Sequence, residues 1–228
     1  MVNRFRALAT DFDGTIAHDG VVDEPTLAAL ERARDAGLCL LLVTGRELPD
    51  LFNTFSRVQI FDRVVAENGA LMYTPSNGTI RQLAPAPPVA LLDRLLKEGV
   101  PMSVGASIVA TVEPHEHAVL AAIRDLGLEW HVVFNKGSVM ALPSGVTKAT
   151  GLAPTLEDLA IAADETIAVG DAENDHAFLA MCGLKVAVSN ALPSLKEIAD
   201  VVTVAARGEG VVELIDHLLS GKLPAVAR

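Results

Sequence analysis

The pentapeptide Asp11-Phe12-Asp13-Gly14-Thr15 follows directly on the short apolar run Phe5 to Ala9, and no other stretch restricts this chain's fold as tightly. A bounded apolar run of this length reads as a buried strand. Open α/β sheets collect their chemistry in the crevice beyond the carboxyl ends of the strands. Alternate residues of a strand share a face, so Asp11 and Asp13 point the same way if strand geometry continues that far. If Gly14 turns the chain, both carboxylates stand at the mouth of the crevice. Two close carboxylates repel unless a cation or a shared proton intervenes. A requirement for a cation is therefore the first functional hint.

The rest of the chain alternates in the same style. Asp23-Glu24-Pro25 opens a helix that runs to Ala36 and stops at Gly37. Leu38 to Val43 is a second strand, ending in Thr44-Gly45-Arg46, with a helix from about Glu47 to Phe55. Val64 to Ala66 is a third, ending in Glu67-Asn68-Gly69. Leu71 to Tyr73 and Thr79 to Leu83 flank Pro75-Ser-Asn-Gly78, a hairpin signal. Pro85-Ala-Pro87-Pro88 changes the texture and reads as a linker. Beyond it lie a helix (Val89 to Glu98), strands near Met102–Ser103 and Ile108–Val112, a helix (Pro114 to Leu126), and strands near Trp130–Phe134 and Val139–Leu142. This α-β-β unit, repeated, predicts a small antiparallel sheet with helices on one face. After Gly145 come a helix over Lys148–Ala162, which Pro154 should bend or break, and a strand over Thr166–Val169. Gly170-Asp171-Ala-Glu-Asn174-Asp175 follows, then a helix to Met181. Val186–Val188 and Val201–Val204 are strands, with helices over Pro193–Ala199 and Val211–Leu219. The pattern predicts an α/β protein: a doubly wound parallel-sheet core, residues 1–83 and 145–228, with an α+β cap inserted over residues 84–144.

Composition narrows the partners. Half of the 228 residues are apolar, enough for a substantial core, and the net charge of −11 argues against nucleic acid. The run Leu38–Val43 is far too short to span a bilayer, and Asp11 and Asp13 interrupt the apolar stretch a signal peptide needs, so a cytoplasmic protein without a membrane partner is expected. Cys39 and Cys182 sit in apolar surroundings, as buried thiols do. Asn77-Gly78-Thr79 matches a glycosylation sequon, but the turn reading is preferred. Nothing in the pattern fixes an oligomeric state.

Asp11/Asp13, Thr44, Asn68 and Asp171/Asp175 all fall just after predicted strands, and Lys148 opens a helix after the insert. Strand ends of a parallel sheet converge on one edge, so these groups can meet. Carboxylates, a hydroxyl, an amide and an ammonium suit a hard, oxygen-liganded cation such as Mg²⁺ together with an anion. They suit zinc poorly, since no Cys or His accompanies them.

Asp11-Phe-Asp13-Gly14-Thr15, Thr44-Gly45-Arg46, Lys148 and Gly170-Asp171-x-x-Asn174-Asp175 resemble, in order, the four motifs of the haloacid dehalogenase (HAD) superfamily. Asn68-Gly69-Ala70 and the insert between the second and third motifs are similar to the Cof-type branch with a type IIB cap, whose neighbours include phosphoglycolate and sucrose-phosphate phosphatases. The resemblance implies a Mg²⁺-dependent phosphatase of a small phosphorylated metabolite. It makes Asp11 the nucleophile, forming an aspartyl-phosphate, and Asp13 the general acid and base. It places the metal on Asp11, Asp171 and the main-chain carbonyl of Asp13, with Asp175 beside it or as a further contact. Thr44, Gly45 and Lys148 would hold the phosphoryl group, and Asn174 would orient nearby groups. Arg46, Asn68 and Lys136 would be possible substrate contacts. A carboxylate at Asp13 favours phosphoryl transfer over carbon–halogen cleavage. The alternatives are a phosphomutase using the same intermediate and a non-enzymatic phospho-accepting module.

Singly, each motif has a plainer reading. Asp13-Gly14 makes a turn, Thr44 caps a helix, Lys148 is a solvated lysine, and Asp171–Asp175 is an exposed loop. Arg46 pairs with a carboxylate as readily as it touches substrate. His115-Glu116-His117 lacks zinc spacing, and Gly208-Glu-Gly210 lacks the context of a dinucleotide site.

Overall fold

The structure is a computed structural model, and it describes residues 4–135 and 137–222. Its centre is an eight-stranded sheet. Leu8 and Ala9 of β1 (Ala7–Thr10) lie between β10 (Thr166–Gly170) and β2 (Cys39–Val43), both parallel to it. β11 (Leu184–Ala187) and β12 (Val201–Val202) extend one side, and β3 (Arg63–Ala66) the other, all parallel. β4 (Leu71–Thr74) and β5 (Thr79–Gln82) complete that side as an antiparallel hairpin. The central parallel strands are mainly apolar because both faces of the sheet are covered there, while β11 carries Lys185 toward the edge. Leu40–Val43, Val64–Ala66 and Ile167–Val169 are fully buried with residues of α1 (Glu24–Asp35), α5 (Lys148–Asp158) and α8 (Arg207–Leu219) in one core. The hairpin turn uses the sequon residues for its own geometry: the Asn77 carboxamide accepts the Thr79 N–H at 2.9 Å.

The second sheet has four antiparallel strands: β6 (Ser103–Val104), β7 (Val109–Val112), β9 (Ser138–Pro143) and β8 (Trp130–Asn135), in that order. α3 (Val89–Lys97) and α4 (Glu116–Asp125) share a core with it through Leu91, Leu95, Val119, Val109 and Ala141. Alternation along β9 sends Met140 and Leu142 the other way, into a cluster with Ile108 and with Ala70 of the large sheet's loop. The cap sheet thus has a helix face and a core-facing face.

Several boundaries differ from the sequence pattern: β11 spans Leu184–Ala187 rather than Val186–Val188, β12 stops at Val202 rather than Val204, and two helix ends differ for a visible reason. α5 continues through Pro154 and ends at Asp158 rather than Ala162. The stop is Ala160, at φ 52°, with the Ile161 N–H closing back on the Leu156 carbonyl at 3.0 Å. That is a left-handed cap of the kind glycine ordinarily makes. α8 begins at Arg207 rather than Val211 because the Asn190 side chain accepts the Arg207 N–H at 2.8 Å, a cap seventeen residues distant. The two cysteines are free, and burial pushes both thiols up to about 12.

Candidate active site

The sheet delivers β1, β2, β3 and β10 side by side, and each ends in a loop carrying one of the polar groups singled out above. Gly14, at φ 87°, turns the chain after Asp13. The Lys148 side chain, at the first residue of α5, reaches under the loops and is 1% exposed. Its Nζ donates to Asp11 Oδ1 at 2.5 Å and to Asp175 Oδ1 at 2.6 Å. Lys148 arrives there because α5 crosses the loop after β3 at contact distance. A Cβ on Gly151 would stand 2.4 Å from the Gly69 Cα, so neither position has room for a larger residue.

Asp175 is held from the other side. Its Oδ2 accepts the N–H groups of Asp171 at 2.7 Å and Ala172 at 2.9 Å. The Thr15 hydroxyl lies 3.2 Å from both Asp11 Oδ2 and Asp171 Oδ1. Asn190 Nδ2 donates to the Gly14 carbonyl at 2.8 Å and lies 3.3 Å from Asp171 Oδ2. Asp11, Asp171 and Asp175 each present a carboxylate oxygen within 4.8 Å of the other two.

The electrostatics follow from burial. Three carboxylates face one ammonium, which with every group ionised is a surplus of two negative charges in a region with almost no water contact. Burial, reinforced by Asp175 and Asp171 and opposed by Lys148, pushes the Asp11 carboxyl up to about 8. Burial works against the Lys148 ammonium, but its pairs with Asp11 and Asp175 outweigh it and raise that group. An all-oxygen donor set with two surplus charges fits a divalent hard cation such as Mg²⁺.

Asp13 stands apart from this cluster. Its two carboxylate oxygens take Arg46 Nε at 2.7 Å and Arg46 Nη2 at 2.8 Å. Arg46 Nη1 binds Asp50 at 2.6 Å and Thr54 at 3.0 Å, and the guanidinium lies 5.3 Å over the Phe12 ring. Donation to the Asp13 carboxylate raises the Arg46 guanidinium further. The three clustered carboxylates are those of Asp11, Asp171 and Asp175. Thr44 is buried; its hydroxyl accepts the Arg46 N–H at 3.1 Å, while α2 (Leu48–Thr54) is capped at Glu47. Asn174 Nδ2 donates to Asn68 Oδ1 at 2.8 Å, and Asn68 Nδ2 reaches the Met140 sulfur of the cap at 3.0 Å. Lys136 lies outside the described residues. Thr15, Asn190 and Glu67 were not singled out by the sequence reading. Thr15 sits inside the first motif and Asn190 follows the end of β11, so the strand-end rule reaches both.

A cavity of about 470 Å³ opens above Asp11, Asp13, Gly45 and Arg46 and is roofed by Thr111, Ser138 and other residues of the cap sheet.

The sequence profile of haloacid dehalogenase-like hydrolases matches residues 8–104 and 113–215. The chain belongs to that family, and its fold and motifs are those of the Cof-type branch. A phosphoglycolate phosphatase from Methanothermobacter thermautotrophicus is 33% identical over 223 residues, covering 94% of this chain and 99% of that protein. The crystal structure of a haloacid dehalogenase-like hydrolase from Bacteroides thetaiotaomicron superposes with a TM-score of 0.79 at 19% identity, covering 94% of this chain and 99% of the other. An HAD subclass IIB sugar phosphatase does so with a TM-score of 0.75 at 20% identity, covering 96% and 100%. Among the described residues no helix is long and apolar enough to cross a membrane.

Proposed function

We propose that this hydrolase is a Mg²⁺-dependent phosphatase that removes the phosphoryl group of a small phosphorylated metabolite, of the phosphoglycolate or small sugar phosphate class, through an aspartyl-phosphate on Asp11. The observation that carries the reading is the buried cluster of Asp11, Asp171 and Asp175 around Lys148. Asp11 and Asp171 would hold the metal, with Asp175 alongside and the main-chain carbonyl of Asp13 as the further ligand. When bound, the cation neutralises the surplus charge and polarises the phosphoryl oxygens.

The chain's own groups account for the rest. A carboxylate oxygen of Asp11 attacks phosphorus, and the bond from phosphorus to the leaving oxygen breaks. Lys148 balances charge on the nucleophile and the phosphoryl group. Asp13 protonates the departing alkoxide, for which one of its oxygens leaves the Arg46 fork and carries the proton. Asp13 then takes a proton from the water that attacks phosphorus, which releases phosphate and restores Asp11. Thr44 and the loop N–H groups near Gly45 receive phosphoryl oxygens, and Asn174 orients them from the Asn68 side. The cap, residues 84–144, covers the reacting atoms and keeps out bulk water. Support for the substrate class comes from the named relative, and the cavity has ample room for a small organic phosphate.

Hydrolysis of phosphoglycolate and of p-nitrophenyl phosphate, with and without Mg²⁺, compares wild type with Asp11→Asn. The expected result is Mg²⁺-dependent release of phosphate by wild type alone. Equal rates in the two proteins remove Asp11 from its role.

A further inference from the structure

Glu67 has no part in this chemistry, yet it is 2% exposed. It follows β3 with a left-handed backbone, φ 50°, and Asn68 repeats that conformation at φ 53°. Such geometry in consecutive non-glycine residues persists only where the surroundings impose it. Here they do so from two sides. The Glu67 N–H donates to the Arg46 carbonyl at 3.0 Å, fixing the residue to the loop that holds Asp13. The carboxylate runs the other way, into the cap, and accepts the N–H groups of Ala106 at 2.9 Å and Ser107 at 2.8 Å. Burial raises the Glu67 carboxyl against the pull of those two amides.

Residues 105–108 form the turn that joins β6 to β7. The turn is seated hard on the carboxylate: a Cβ on Gly105 would stand 2.5 Å from Glu67 Oε1. Gln82 Nε2 donates to the Ala106 carbonyl at 2.9 Å, and the Ser107 hydroxyl to the Ala84 carbonyl at 2.8 Å. Ser103, Ala110 and Thr111, on either side of this turn, line the cavity above Asp11. Lifting the β6–β7 hairpin strands a buried carboxylate, or else drags the Arg46 loop with it. Neither is cheap, because a buried acceptor stripped of its donors loses its full solvation.

We propose that Glu67 is a positioning residue that fixes the height of the cap sheet above the catalytic floor and so limits the size of the leaving group. The proposal rests on the phosphatase reading for its substrate readout, and on amide exchange for a readout that does not need activity. The experiment compares wild type, Glu67→Gln and Glu67→Ala. It measures kcat/KM for phosphoglycolate and for 1-naphthyl phosphate, together with hydrogen exchange at the Ala106 and Ser107 amides. Wild type should favour the small substrate. In Glu67→Ala the small-to-large ratio should fall at least tenfold, through a higher KM for phosphoglycolate and a gain for the naphthyl ester. Glu67→Gln, which keeps one acceptor, should lie between. Both amides should exchange at least tenfold faster in Glu67→Ala, relative to amides of β9. A loss of folded enzyme would scale both substrates alike and leave the ratio unchanged. An unchanged ratio, or unchanged exchange at these amides, overturns the proposal. If wild type hydrolyses neither substrate, the catalytic reading fails and the exchange result alone decides the role of Glu67.

Discussion

The floor and the roof of the cavity are built on opposite principles. The floor rests on a charged, dry cluster: Lys148, Asp11, Asp171 and Asp175 are each at most 4% exposed, and they come from the ends of β1 and β10 and the start of α5. The roof, among the described residues, is uncharged: Ser103, Thr111, Asn135 and Ser138, with Ala110 and Met140 between them, on strands of the smaller sheet. The side-chain oxygen of Asn135 is buried without a hydrogen-bond partner among the described residues. A floor of this kind suits a fixed reaction on a phosphoryl group common to many substrates. A roof of uncharged donors and acceptors can change its preference without disturbing that reaction.

Substitutions should separate the two regions, and the floor should give the larger effects. Asp11→Asn removes the nucleophile and should lower kcat on the order of 10³-fold or more in steady-state assays, for every substrate alike. Lys148→Met should lower kcat by about 10²–10³-fold. It should also lower the melting temperature in the absence of Mg²⁺, since it leaves Asp11 and Asp175 buried without their cation. A roof change should look different. Asn135→Ala should raise KM by about tenfold with kcat nearly kept, the cost of one hydrogen bond to the leaving group. If Asn135→Ala instead lowered kcat and spared KM, the division between floor and roof would be wrong.

The smallest expected effect is a linkage between metal and proton. The Asp11 carboxyl is raised in the folded, metal-free protein to about 8, well above its unfolded value. A raised acid favours folding below its unfolded pKa, and that contribution is lost as pH rises toward 8. A cation that replaces the missing positive charge should therefore raise the melting temperature more at pH 8 than at pH 6. Calorimetry with and without Mg²⁺ at the two values checks the sign. An equal shift at both would separate metal binding from Asp11.

Much of the floor was legible in the sequence because it obeys one rule, that polar residues just after buried parallel strands share an edge. Asp11, Thr44, Asn68 and Asp171 follow it directly, and the alternation of strands and helices gives the sheet its layers. What stayed hidden depends on contacts between distant residues. Asn190 caps α8 and touches Asp171, two contacts that its place after a short strand does not by itself reveal. Ala160 ends α5 in a conformation that a sequence rule assigns to glycine. Glu67 stands at the end of the third strand with no role the sequence assigns, and its partners Ala106 and Ser107 lie about forty residues away. The engagement of Asp13 by Arg46 was one of two open readings for that arginine, and only the fold places the fork and the cavity wall on the same side chain.

The account depends most on covalent chemistry at Asp11. Wild-type protein mixed with phosphoglycolate and Mg²⁺, quenched in acid on the millisecond scale and mapped by peptide mass spectrometry, tests that directly. The account predicts phosphate on the peptide bearing Asp11, appearing before free phosphate and absent in Asp11→Asn. Turnover with no phosphate on that peptide at any quench time, or phosphate carried by another residue, would contradict it.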